Sequence, residues 1–306
     1  MDAMHGHHGH AHDHHDHAHH HPAPSDNRYT IAIALNLGFV IVEAAAGIFA
    51  NSTALLSDAT HNLSDVLGLA LAGGAAWLAK QQAGSQRTYG FSKATVLAAL
   101  ANALVLVVAC GGLLWEASTR LFSPEPTQPL FIMAVAAAGV VINGGTAMLF
   151  LAGRKEDVNV RGAYLHMVAD AGVSAAVIIA GALIFFTGAN WIDPAISVAV
   201  VLLILWGTWG LLRESLDLSL DAAPAHINVA NVRDYLLSQP GVTAVHDLHV
   251  WAMGATKPAL TAHLVRPEGN DDAFLAQITE GITRTFGITH VTLQIERVQR
   301  DDCEHC

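Results

Sequence analysis

The sequence predicts an all-α, six-helix transmembrane domain followed by a small α+β domain of order αββαβ. Hydrophobic residues make up 52% of the 306 and charged residues only 13%, the balance of a membrane protein with a modest soluble part. Six apolar runs, each near the roughly 20 residues that a spanning helix needs, fill the chain from 29 to 213. Beyond about 214, short helical stripes and strands replace them.

The chain opens on a low-complexity tract, 1–27, in which histidines from His5 to His21 are interrupted by Gly, Ala, Asp13 and Asp16 before Pro22-Ala23-Pro24. Such a tract cannot build a core and is expected to be a disordered cytoplasmic tail. Its irregular interruptions argue for weak, multi-site metal binding over a purification tag; a solvated tail without a role is the plainer alternative. No cleavable signal peptide is expected from this polar start. The formal charge of −11 overstates acidity, because 19 histidines gain charge as pH falls. No basic block points to nucleic acid. Cys110, Cys303 and Cys306 are too few for a disulfide framework.

The apolar runs are 29–50, 52–79, 93–118, 129–152, 161–187 and 192–213. Ser92 is placed as the cap of the third, and Asp193-Pro194 opens the sixth with proline in its first turn. Pro124, Pro126 and Pro129 separate the third from the fourth. Arg28, Lys80, Arg87, Lys93, Arg154, Lys155, Arg161 and Arg213 fall on one side, against Arg120 alone on the other. The excess puts that side, and both termini, in the cytoplasm. A compact chain without an organelle signal suggests a bacterial inner membrane.

In the soluble part, Val229, Val232, Leu236 and Leu237 form a helical stripe ending before Gln239-Pro240-Gly241. Val242–Met253 and Leu260–Val265 read as strands. Phe274, Leu275, Ile278, Ile282 and Phe286 form a second stripe, and Ile288–Val298 a third strand. His246 and His249 differ by an odd number on the first strand, so they are expected on opposite faces and unable to share one ion. His263, on the neighbouring strand, reaches one of them. Cys303-Glu304-His305-Cys306 gives two thiolates at a spacing that commonly grips zinc but needs two further ligands. The domains are therefore drawn at 1–27, 28–213, 214–298 and a Cys-containing metal-binding tail at 299–306.

The chemistry concentrates in two stretches, His61-Asn62-Leu63-Ser64-Asp65 and His166-Met167-Val168-Ala169-Asp170. A four-residue step puts both side chains on one helix face, one turn apart. Two such helices facing each other offer two imidazoles and two carboxylates to one point, a four-coordinate set that suits Zn²⁺, with Co²⁺ and Cd²⁺ as passengers. A lone buried histidine is usually structural and a lone aspartate often pairs with a basic group. Here the matched pairs, with no Lys or Arg beside them, favour metal. Ionisable groups at membrane depth are expensive and mark function. Asp58 stands near the face of His61 as a supporting acceptor, an entrance charge or a boundary residue. Glu43 leans functional on cost alone. Asn36, Asn102 and Asn143 read as interhelical hydrogen-bond formers, and Cys110 as packing.

Ser57-Asp58-Ala59-x-His61-x-x-Ser64-Asp65, the loop Arg87-Thr-Tyr-Gly-Phe-Ser-Lys93 and His166-x-x-x-Asp170 resemble the cation diffusion facilitators, in their zinc-exporting branch, over residues 29 to about 298. The resemblance implies a homodimeric zinc/proton antiporter with a metallochaperone-like cytoplasmic domain, in which His61, Asp65, His166 and Asp170 are the transport ligands. It further implies a cytoplasmic zinc site from His246, His263, Glu296 and Cys303, with Cys306 beside it. His249 and His290 fit that pattern less closely. Some relatives carry another metal site after the second helix; Lys80–Ser92 has no His, Asp or Glu, and none is expected.

Imidazole binds metal only when neutral, and its ordinary pKa of about 6.5 lies near physiological pH. A proton replacing the departing ion would keep the centre from returning empty and doubly negative. The expectation is a secondary transporter, not an enzyme, exporting Zn²⁺ against H⁺ in metal resistance. The carboxylates compensate charge and His61 or His166 exchanges the proton. An intramembrane zinc hydrolase is the first rival, but no His-Glu-x-x-His occurs and four protein ligands leave no position for water. A membrane-anchored zinc sensor is the second, and it leaves the buried charges unexplained.

Overall fold

A computed structural model describes residues 27–151, 158–268 and 272–298, without the side chains of 27–33 and 158–160. The histidine tract and the Cys303/Cys306 tail lie outside these residues. Six long helices come first: α1 (Asn27–Ala50), α2 (Thr53–Ala79), α3 (Ala94–Phe122), α4 (Pro129–Phe150), α5 (Val158–Thr187) and α6 (Ile192–Ser219). Helices α2 to α6 are each long and apolar enough to cross a membrane; in α1 the described apolar segment is Ala34–Ala50. Helix α4 packs along α5, and α3 along α6, with α2 touching α1, α3, α5 and α6. Val108, Val141, Phe186 and Trp206 face outward, as lipid contact requires. The interior is built from small residues, Ala46, Ala50, Ala54 and Ala136, around Leu55, Ile132 and Val177.

Two helix boundaries differ from expectation. Helix α3 starts at Ala94 behind Lys93 with no side-chain cap; the Ser92 hydroxyl instead donates to the carbonyl of Tyr89 at 3.3 Å. Helix α6 continues to Ser219, because Arg213, Glu214 and Asp217 are charges that a helix tolerates once it has left lipid. The turn between α1 and α2 is tight. Asn51, at φ +51°, donates to Ile48 O while Ser52 N donates to Gly47 O, the paired bonds of a Schellman ending. Ser52 then caps α2 by accepting from Leu55 N at 3.2 Å.

The C-terminal domain contains α7 (Val229–Leu237), β1 (Ala244–Ala252), β2 (Pro258–Val265), α8 (Asp272–Phe286) and β3 (His290–Glu296). The sheet order is β1-β2-β3, with β1 antiparallel and β3 parallel to β2. Val232, Leu236, Ile278 and Ile282 from the helices cover Val245, Val250, Leu260 and Leu264 of the sheet. The domain docks on the membrane helices through its β1–β2 turn. Ala255 N donates to Thr95 Oγ1 at 3.1 Å, Lys257 Nζ to Ser92 Oγ at 3.3 Å, and Lys93 pairs with Asp221.

Candidate metal centre

Helices α2 and α5 meet only briefly, and they meet at the two His-x-x-x-Asp stretches. His61 Nε2 lies 3.7 Å from Asp65 Oδ2 and 3.7 Å from Asp170 Oδ1. His166 Nε2 lies 3.2 Å from Asp65 Oδ2 and 3.6 Å from Asp170 Oδ2. The imidazoles stand edge to face, 6.0 Å between centroids. A tetrahedral ion with ligand bonds of about 2.0–2.1 Å has edges of about 3.3–3.4 Å, and these four separations are close to that spacing. Donor atoms of His61, His166 and Asp170 all fall within 4.8 Å of one another, with Asp65 approaching both histidines. His61 Nδ1 is buried without a hydrogen-bond partner.

Burial is graded across the set. The Asp170 side chain is 4% exposed and His61 23%, against 33% for Asp65 and 41% for His166. On the side where α1 turns into α2, Leu55, Ser57, Asp58 and Ser174 are fully buried. The more exposed donors, Asp65 and His166, are those nearer the end of α2 and the start of α5.

The polar residues around the centre have distinct roles. Asp58 Oδ2 accepts from Ser174 Oγ at 3.0 Å, and Glu43 Oε2 accepts from Asn62 Nδ2 at 3.1 Å. Asn36 Nδ2 and Thr146 Oγ1 both donate to Met167 Sδ at 3.4 Å. Asn102 packs against Gly68, whose missing Cβ would stand 2.9 Å from Asn102 Nδ2. Cys110 is buried among Leu106, Val200 and Val201, a packing residue.

A second cluster lies on the sheet face turned away from the domain core. His246 Nε2 is 3.1 Å from Glu296 Oε2, and His263 Nδ1 is 3.5 Å from Glu296 Oε1. Donor atoms of His246, His263 and Glu296 share one 4.8 Å neighbourhood. The parity expected for His246 and His249 does not hold. A β-bulge interrupts the register between them, with His246 opposite His263 and His249 opposite Thr261. Asp247, at φ +50°, is the extra residue, so both histidines emerge on one face. Asp247 bridges His249 and His263: its Oδ1 lies 2.9 Å from His249 Nε2 and its Oδ2 3.4 Å from His263 Nε2.

The His249 hydrogen bond and nearby imidazoles hold the Asp247 carboxyl below its ordinary value. Burial opposes ionisation of Glu296, but hydrogen bonds from Gln294 and His246 outweigh it and its pKa is also lowered. Two imidazoles and an ionised carboxylate form a donor set that fits zinc. His290 stacks edge to face on Tyr89 at 5.6 Å. The sequence reading missed Asp247; an aspartate between two strand histidines, tolerant of positive φ, is the signal that was there.

A bundle of long apolar helices in which two His and two Asp side chains of α2 and α5 converge, joined to a small three-stranded domain, has the architecture of a membrane transporter for metal cations. A family model described as the cation efflux transmembrane domain matches residues 29–218, and one described as the cation efflux protein cytoplasmic domain matches 224–298. Among curated proteins, the metal cation efflux system protein CzcD of Cupriavidus metallidurans is 38% identical over 284 residues, covering 90% of this chain and 89% of that protein. The zinc transporter ZitB of Escherichia coli is 36% identical over 272 residues, covering 88% and 87%. The cadmium, cobalt and zinc/H(+)-K(+) antiporter of Bacillus subtilis is 33% identical over 275 residues, covering 87% of each. A solved metal-bound C-terminal domain of the Cupriavidus CzcD transporter is 37% identical, covering 23% of this chain and 99% of that one, with a TM-score of 0.20. The chain belongs to the cation efflux, or cation diffusion facilitator, family.

Proposed function

We propose that this protein exports cytosolic Zn²⁺, with Cd²⁺ and Co²⁺ as further substrates, in exchange for H⁺. His61, Asp65, His166 and Asp170 are its transport ligands. The observation that carries the reading is the set of 3.2–3.7 Å separations among four donors from α2 and α5. Relatives named for zinc, cadmium and cobalt transport support the choice of ions. Two imidazoles with two carboxylates suit zinc better than Mg²⁺ or Mn²⁺. The greater exposure of Asp65 and His166, toward the Lys/Arg-rich side, supports reading the conformation as a cytoplasm-facing state. Export requires a second state open on the Thr53 side, reached by rocking of helices around the ligand set.

The protein works as a homodimer in the bacterial inner membrane with both termini inside, a reading supported by the charge asymmetry and by a cytoplasmic domain of a family type named for dimers. Its domains follow the divisions drawn from the sequence, with the bundle extended through α6. His246, His263 and Glu296, completed by Cys303 or Cys306, form the cytoplasmic zinc site, and the docked β1–β2 turn conveys its state to α3.

The test is Zn²⁺ flux into proteoliposomes under an imposed pH gradient, wild type beside Asp170→Ala. Flux that follows the gradient and disappears in the variant supports the antiporter. Zinc binding without flux under any gradient overturns it and leaves a structural or sensing centre.

A further inference from the structure

Beside the four donors lies a second pair of acids that the metal chemistry does not use. Glu43 on α1 and Asp58 on α2 are both fully buried. Asp58 precedes His61 by three residues, and Ser174, its hydrogen-bond donor, follows Asp170 by four. The pair thus sits about one helical turn, ~5 Å, from the metal donors, toward the end where α1 passes into α2.

Each carboxyl spends one oxygen on a neutral donor, Asn62 or Ser174. The other oxygens, Glu43 Oε1 and Asp58 Oδ1, are buried with no donor. The two carboxyls are within hydrogen-bonding reach of each other. No lysine or arginine occurs from 29 to 79 or from 162 to 187. The facing titratable groups are His61 and Asp170; α4 contributes none over Pro129–Phe150, and Asp193 of α6 is engaged by Ser52 and Thr53. Two adjacent buried carboxylates with no lysine or arginine beside them cannot both stay ionised when His61 is neutral, as metal binding requires. One proton between them supplies the missing donor.

We infer that Glu43 and Asp58 form a proton-binding site, an acid–carboxylate pair sharing one proton next to the metal centre. The inference rests on the transport reading only for what the proton then does. When a divalent ion occupies the neighbouring centre, its field favours ionisation. The O–H bond breaks, the electron pair stays on the carboxylate oxygen, and the proton passes to water. When the ion leaves, the pair takes a proton back from water. The transporter thereby has a proton carrier separate from its ligand histidines.

The test is infrared difference spectroscopy on the reconstituted, metal-free full chain at neutral pH. Wild type is expected to show the carbonyl stretch of a protonated carboxylic acid, shifting in D₂O. Glu43→Gln and Asp58→Asn, both near-isosteric, should each remove or displace it. No such band in wild type, or a band unaltered in both variants, overturns the proton site. Calorimetry of zinc binding in buffers of different ionisation enthalpy gives a second readout, in which Glu43→Gln should release about one proton fewer per ion. An equal proton count with one fewer zinc bound makes the pair a metal station instead and overturns the inference. Asp170→Ala separates the two readings: zinc binding by the bundle unaltered in that variant defeats the transport site while leaving the infrared result to decide the pair.

Discussion

The carboxylate of Asp193, in the first turn of α6, accepts the backbone N–H of Thr53 at 2.7 Å. It also accepts the Thr53 hydroxyl at 2.8 Å and the Ser52 hydroxyl at 2.5 Å, so one side chain serves the amino ends of two helices, where the peptide dipoles favour negative charge. Asp193→Ala leaves these donors buried and unpaired. It should lower stability by about 1–3 kcal/mol, read as a drop in the thermal midpoint in detergent, with Asp193→Asn intermediate.

Ligand hardness should set selectivity. In the proposed transport site, His61→Asp replaces an imidazole by a carboxylate, leaving one nitrogen and three oxygen ligands. The ratio of Zn²⁺ to Mn²⁺ transport in competition flux should fall, since oxygen donors favour the harder ion.

The His246/His263/Glu296 cluster of the C-terminal domain should be acid-sensitive. Asp247 and Glu296 have carboxyls held below their ordinary values of 3.8 and 4.5. The sign follows from linkage: their contribution is complete above those ordinary values and is lost as pH falls through the lower, folded-state ones. Thermal midpoints of the metal-free full chain should decline on acidification in that window, and less steeply in Glu296→Gln. Asp247→Val should destabilise further at every pH, because a β-branched residue resists the positive φ of the bulge.

Helix α4 approaches α5 and α1 through Gly139. A Cβ there would meet Ser174 Oγ at 2.8 Å and Phe39 Cζ at 2.9 Å. Gly139→Leu should cost about 1–3 kcal/mol by overpacking and displace the hydroxyl from Asp58. Both a lower thermal midpoint and slower zinc flux are expected.

Much of this architecture is written in local pattern. The spans are legible because lipid demands long apolar runs, and the pairing of His61 with Asp65 and of His166 with Asp170 because a four-residue step survives in any helix. The αββαβ order follows from the stripes of Val232/Leu236 and Ile278/Ile282, which only a core explains. What local pattern cannot carry is partnership across the chain. Nothing near Asp193 announces Thr53, and Glu43 gives no sign of Asp58 until α1 and α2 fold together. The relation of His246 to His249 failed for a different reason. Strand parity assumes an unbroken ladder, and a single extra residue at Asp247 reverses it.

The graded exposure of the four proposed transport ligands would have a kinetic meaning. Asp65 and His166, the open members, would meet an arriving hydrated ion first, and Asp170, nearly sealed, would meet it last. The ion could then exchange its water shell for protein ligands in stages, so that no single step strips it bare. Discrimination among divalent ions would depend as much on how readily each gives up water at the outer two ligands as on how well it fits all four.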